Sequence, residues 1–172
     1  MKTVVLGERP RQLEEWLARR RELGQDRFDE VWEGEYHVAP APHPRHGYLE
    51  AQLVRRLGER ADAAGLVGTG AFNLGEPDDY RVPDHGYHHE LPTATYVPTA
   101  AVVVEVVSPD DETYEKFGFY AAHGVDELVI VEPQVRRVRL WQLRTGRYEE
   151  SSSSALLRLT AEELTGELDW PG

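Results

Sequence analysis

The sequence predicts an α/β (α+β) domain, a mixed sheet flanked by helices, and three observations carry that expectation. Residues 101–107 (AVVVEVV) form a short, β-branched, nearly continuous apolar run, of the kind a strand buried on both faces shows. Two segments upstream repeat apolar residues at helical spacing. A third helical segment, a further strand and a terminal hairpin follow the run. Helices before, between and beside strands indicate one packed core.

In order, PRQLEEWLARRRELG places Leu13, Trp16, Leu17 and Leu23 at helical spacing, with Pro10 suited to the first turn and Gly24 to the stop. FDEVWEGEYHVAP reads as a hairpin turning at Glu33-Gly34, followed by the Pro-rich loop APAPHP. From His46, a longer helix presents Leu49, Leu53, Leu57, Ala61 and Ala64 on one face and ends at Gly65. Strand-like segments follow near residues 67–74 and 80–85. After the apolar run, Ser108-Pro109-Asp110-Asp111 supplies helix-start chemistry. That helix runs to about His123, with Tyr114, Phe117, Tyr120 and Ala121 as its apolar face and Gly124 as its stop. Residues 128–131 read as a buried strand, residues 135–143 and 147–149 as a hairpin around Thr145-Gly146, and Ser151 to Ser154 as a solvated loop.

The 172 residues fit one domain, 1–172, able to bury roughly two thirds of its unfolded surface. The absence of Cys excludes disulfides, thiolate zinc sites and a Cys nucleophile. No run approaches the length of a membrane span and the N-terminus lacks a signal-peptide core, so a cytoplasmic protein with no membrane partner is expected. Nineteen basic residues against 31 acidic give a net charge of −12, which repels nucleic acid at long range. Seventeen of the basic residues are Arg; Lys2 and Lys116 are the two Lys.

Three residues stand out chemically. Glu105 sits inside the most apolar strand, where a carboxylate needs a cation, a hydrogen-bond network or a raised pKa. Asp84 ends a strand-like stretch in RVPDHG, a pattern that equally suits a turn. Lys116 lies on the helix after the Glu strand; a solvated Lys is the ordinary reading, but a compact ammonium can meet one phosphoryl oxygen or an attacking water. Taken together they describe a site: two carboxylates ligating a hard cation, Mg²⁺ or Mn²⁺, beside an ammonium that stabilises developing charge.

The order VPD, EVVSP, a Lys on the next helix and FYAAHGVDELVIVEP closely resembles the bacterial "putative restriction endonuclease" family of the Uma type, within the PD-(D/E)xK nuclease-like superfamily. The resemblance runs from about residue 28 to 148 and includes EGEYHVAPAP and RVRLWQLRTGRYE. It implies a restriction-endonuclease-like fold with its core at about 28–150, and metal-dependent hydrolysis of DNA. Asp84 matches the PD aspartate and Glu105 the acid of the D/ExK element. Val107 occupies the usual Lys place, and Lys116 matches a Lys displaced to the following helix. Glu35 and His46 match supporting positions in the hairpin and before the long helix.

Other readings remain open on the sequence. His85, His88, His89 and Glu90 invite a zinc site and a small-substrate hydrolase, although HxxHH is not a helical HExxH and Gly86 and Pro92 suggest a loop. Arg136, Arg137 and Arg139, with Arg144 and Arg147, form a basic segment free of acids that suits either DNA phosphates or a solvated hairpin face. The charge of −12 and Val107 favour the alternative of a catalytically inactive nuclease-fold binding or assembly module. A homodimer would suit cleavage of two strands.

Overall fold

The computed structural model describes residues 3–5, 10–109 and 112–171. Strand β1 (Thr3–Val5) precedes helix α1 (Arg11–Glu22), the hairpin β2 (Glu30–Trp32) and β3 (Glu35–Val38), and the long helix α2 (Pro44–Ala63). Short strands follow: β4 (Val67–Thr69), β5 (Asn73–Glu76), β6 (Asp79–Arg81), β7 (His85–His88) and β8 (Tyr96–Val97). The apolar strand β9 (Val102–Val106) leads through a 3₁₀ turn (Thr113–Lys116) into α3 (Phe117–Ala122) and then β10 (Glu127–Glu132). The hairpin β11 (Arg137–Arg144) and β12 (Arg147–Ser151), the small pair β13 (Ser153–Ser154) and β14 (Leu159–Thr160), and α4 (Ala161–Glu167) complete the chain.

The larger strands form two six-stranded sheets, ordered β1-β3-β2-β6-β5-β8 and β12-β11-β10-β9-β7-β4. The pairs β9–β10 and β5–β8 are parallel and the remaining pairs antiparallel. The α+β class and mixed pairing are those expected, but the strands divide between two sheets. The division arises at Val82-Pro83-Asp84: β6 ends in the first sheet, β7 begins in the second, and Pro83 lacks the N–H that would continue a ladder. One long strand expected over 80–85 is therefore two short ones.

The second sheet is covered on both sides. Leu49, Leu53 and Leu57 of α2, each fully buried, pack with Val102, Val104, Val129 and Val131 on one face. Each such Leu contributes about 2 kcal/mol by leaving water. Val103, Leu128 and Ile130 meet Tyr120, Phe117 and Trp141 on the other face. This is why β9 reads as a continuous apolar run: both of its faces are inside. Glu105 lies on the Val103 side by strand alternation.

Both hairpin turns fall where expected. Glu33-Gly34 and Thr145-Gly146 each take positive φ at both central positions (49° and 87°, 48° and 81°), as a two-residue type I′ turn requires. Helix α2 starts earlier than His46, because His43 caps it through the Arg45 N–H and Pro44 fills its first position. Asp110 and Asp111, expected to open the third helix, lie outside the described residues. Ser151 to Ser154 is not a solvated loop: Ser154 is buried and its hydroxyl donates to Glu127. Helix α4 opens on a capping box between Thr160 and Glu163. Among the described residues, no helix is long and apolar enough to cross a membrane.

Gly75 provides a test of the β5–β6 corner. Its φ is +121°, and a Cβ there would stand 2.4 Å from the Asp79 carbonyl oxygen. Gly75→Ala is expected to cost about 2–3 kcal/mol in urea unfolding; a variant as stable as wild type would show that this corner relaxes freely.

Candidate active site

Asp84 sits on the crossing between the two sheets. Because β7 and β9 are antiparallel with His85 opposite Val104, the next step of the register brings Asp84 beside Glu105. Asp84 is held on both oxygens: Oδ2 accepts the Val106 N–H at 2.7 Å, and Oδ1 lies 2.9 Å from His46 Nε2. The His46 ring in turn has Ser108 Oγ 3.4 Å from Nδ1. The long helix thus aims its first turn at the Pro-Asp crossing.

Glu105 is buried on β9. Lys116 Nζ donates to its Oε1 at 3.1 Å and the Tyr120 hydroxyl donates to the same oxygen at 2.5 Å. Lys116 and Tyr120 are four residues apart, spanning the junction of the 3₁₀ turn and α3, and so share a face over the strand. Lys116 also lies 2.8 Å from Glu30 Oε1. Glu30, on β2 of the other sheet, accepts the Val82 N–H at 2.8 Å and the Trp32 indole N–H at 2.7 Å. One ammonium therefore ties the two sheets together through two buried carboxylates.

These groups open on a cavity of about 490 Å³ lined by Glu30, His46, Asp84, Glu105 and Lys116, with Glu50 and the loop that follows β3. Glu35 is not among its lining residues: it begins β3 with its side chain 44% exposed, 3.8 Å from His37 Nε2. Sequence reasoning missed Glu30, Glu50 and Tyr120 as members of this site. The available signal for Glu30 was its place two residues before Trp32, on the same face of an inward-facing strand.

Electrostatics follow the burial. Burial pushes the Glu105 carboxyl up to about 8; Lys116 pulls against this, while Asp84 and Glu30 add to it. Burial opposes the charge on Lys116, but Glu105 and Glu30 hold it above the usual Lys range. The ammonium persists even with Glu105 protonated, because Glu30 still faces it. Burial also opposes His46, whose pKa nonetheless ends above its ordinary 6.5 through the hydrogen bond and charge of Asp84. Glu50 is raised by burial and by Asp84.

A stability consequence follows from Glu105. Its folded pKa exceeds its unfolded value, so its contribution is full below about pH 4.5 and is lost as pH rises through about 8. His46 acts in the same direction above 6.5. Urea midpoints are expected to fall between about pH 4.5 and 8 and to fall less in Glu105→Gln. An unchanged slope in that variant would assign the titration to another group.

The other candidates lie elsewhere. His85 and His88 are on strand β7 rather than a loop, both buried and three residues apart, so alternation turns them to opposite faces. His85 packs edge-on to Tyr87, and burial lowers it to about 4; His88 lies 3.0 Å from Thr69 Oγ1. His89 is exposed. No group of three or more His, Cys, Asp or Glu that could hold a metal occurs among the described residues, whether at β7 or in the cavity. Arg136 occupies the turn before β11 with φ of 51°. Arg137 pairs with Glu150, and Arg139 pairs with Glu132 and Glu150. A second depression, about 780 Å³, lies along α2 and is lined by Arg56 and Arg60, which both pair with Glu167.

Comparison with known proteins agrees with this architecture. Among solved structures, the chain is similar to a crystal structure described as a putative nuclease belonging to DUF820 from Anabaena variabilis. The TM-score is 0.67 at 15% identity, covering 81% of this chain and 90% of that one. At that identity the likeness is one of fold. No curated protein matches the chain. The family model described as "Uma2: Putative restriction endonuclease" matches residues 11–170. Covering every strand of the two sheets except β1, the cavity between them and the helices around it, that match places this chain in the Uma2 putative restriction endonuclease family.

Proposed function

We propose that the protein is a Mg²⁺-dependent endonuclease that hydrolyses phosphodiester bonds of DNA at the cavity between its sheets. The observation that carries this reading is the meeting of Asp84, Glu105 and Lys116 at one cavity in a chain of a nuclease-like family. The donor set fits a hard cation, since Mg²⁺ is commonly held by one or two carboxylates with waters completing its shell. Both donors to Glu105 reach Oε1, which leaves Oε2 for a cation. Each Asp84 oxygen carries one hydrogen bond and retains a lone pair. Asp84 and Glu105 would hold the ion, Mg²⁺ or Mn²⁺, which when bound polarises the phosphodiester and lowers the pKa of an attacking water.

The chain's own residues supply the rest. Lys116, kept charged by Glu30, presents an ammonium to the phosphoryl oxygens as charge develops. His46 and the Val106 N–H fix the Asp84 carboxylate, so little reorganisation accompanies substrate binding. Tyr120 holds Glu105 from below. Ligation requires Glu105 without its proton, so Mg²⁺ affinity should rise with pH toward and above about 8. The test is cleavage of labelled DNA with Mg²⁺ or Mn²⁺ by wild type and by Asp84→Asn. Cleavage by wild type alone supports the reading. Equal cleavage by the variant, or none by wild type, overturns it and leaves an inactive nuclease-fold binding module.

A further inference from the structure

The walls of the same cavity bear on which form of DNA it takes, an inference that rests on the nuclease reading. Five carboxylates line it, Glu30, Glu50, Asp84, Glu105 and Glu112, and Lys116 is the one Lys or Arg among the described lining residues. In the β11–β12 hairpin Arg137 pairs with Glu150, Arg139 with Glu132 and Glu150, and Arg147 with Glu149, while Arg144 donates to Gln142. Arg27 stands at the rim, its guanidinium 5.7 Å from the Phe28 ring centroid, but among the described residues no run of Lys or Arg lines the cavity. A duplex carries one phosphate charge per roughly 1.7 Å and is held mainly by such runs. The reactive groups are also recessed: the Glu105 and Lys116 side chains are 6% and 12% exposed.

The rim has a different chemistry. Phe28, Val38 and the loop Ala39-Pro40-Ala41-Pro42 wall one side, and Pro40, Ala41 and Pro42 are exposed to solvent. Apolar groups beside an acidic floor cannot grip a phosphate ladder, but they can pack against the face of an unpaired base. An unpaired strand also has lower charge density than a duplex and can lower a single phosphate into a recess.

We propose that the site acts on single-stranded DNA, seating one phosphodiester at Asp84, Glu105 and Lys116 with a neighbouring base against Phe28 and the Pro40–Pro42 rim. Three probes of one sequence test this: a fluorescein-labelled single strand, its blunt duplex, and the duplex with a single-stranded 3′ overhang. Cleavage is followed with Mg²⁺ using wild type, and binding by fluorescence anisotropy with Mg²⁺ using Asp84→Asn. The single strand and overhang are expected to be cut and bound at least about tenfold better than the blunt duplex, the worth of one stacked base. Phe28→Ala is expected to raise KM for the single strand with kcat little changed.

Blunt duplex cut as fast as the single strand would overturn the proposal while the nuclease reading stood. Single-strand preference in binding without cleavage of any probe would support the substrate class and sink the hydrolytic reading. Failure to bind the single strand in preference to duplex, with no cleavage, would overturn both.

Discussion

Asp84→Asn is expected to remove Mg²⁺-dependent cleavage of DNA, lowering kcat on the order of a thousandfold or more, as loss of a charge-stabilising group at a reacting centre does. The substitution tests charge with little change of shape. Asn keeps an oxygen to accept the Val106 N–H and offers an amide toward His46, so both contacts of Asp84 have a replacement. The fold should survive with a loss of about 1–2 kcal/mol, the worth of a hydrogen bond involving a charged group. His46 should titrate lower, since burial opposes its charge and Asp84 is the main group that offsets it. Cleavage assays, urea unfolding and the His46 NMR titration check the three parts together. Retained activity in a folded variant would exclude Asp84 as a ligand.

Lys116→Met is expected to destabilise the protein as well as inactivate it. The ammonium is the partner of two buried carboxylates from different sheets, Glu30 at 2.8 Å and Glu105 at 3.1 Å. Removing it leaves both acids facing each other without a cation, and breaking a buried pair in this way costs about 3–5 kcal/mol. The loss should be larger at pH 8.5 than at pH 5, because Glu105 can take a proton at the lower value and relieve the repulsion. Adding Glu105→Gln should recover about 1–2 kcal/mol of the loss. Urea unfolding of the single and double variants at both pH values measures this. A Lys116→Met protein with wild-type stability would mean that Lys116 is a solvated side chain after all.

Much of the fold was legible because its strongest signals are local. A strand buried on both faces cannot hide its composition, so β9 stood out, and the two type I′ turns announced themselves through Gly34 and Gly146. What the sequence concealed is pairing. Two sheets rather than one follow from the chain leaving a ladder at Pro83, and nothing in a six-residue stretch says which partner each half will find. Gly86 and Pro92 make the stretch around β7 read as a loop; β9 and β4 on either side impose the extended conformation. Helix α4 carried its capping-box signature, Thr160 with Glu163, in plain view.

The site shows the same division. Asp84, Glu105 and Lys116 could be singled out by anomaly: an acid after a proline, an acid in an apolar strand, a Lys in a chain of Arg. His46, read as a supporting residue, lies against Asp84. Glu35 lies outside the cavity, and the hairpin acid within it is Glu30, five residues earlier on the partner strand. Two acids on one hairpin are hard to tell apart in sequence; the inward face decides between them, and Trp32 marks that face. Glu127 makes the complementary point. It is as buried as Glu105, yet the backbone N–H groups of Ala155 and Leu156 and the Ser154 hydroxyl satisfy it, so burial of an acid does not by itself mark a site. Glu105 differs in that its donors leave one oxygen spare.

The most direct test of the account is crystallography of the protein in Mn²⁺ with data recorded for the anomalous signal of manganese. One strong peak is expected in the cavity, ligated by Asp84 and by Glu105 through Oε2, with Lys116 beside it. An anomalous map without a peak in that cavity, or one whose peak is held by other residues such as His89 and Glu90, would contradict it.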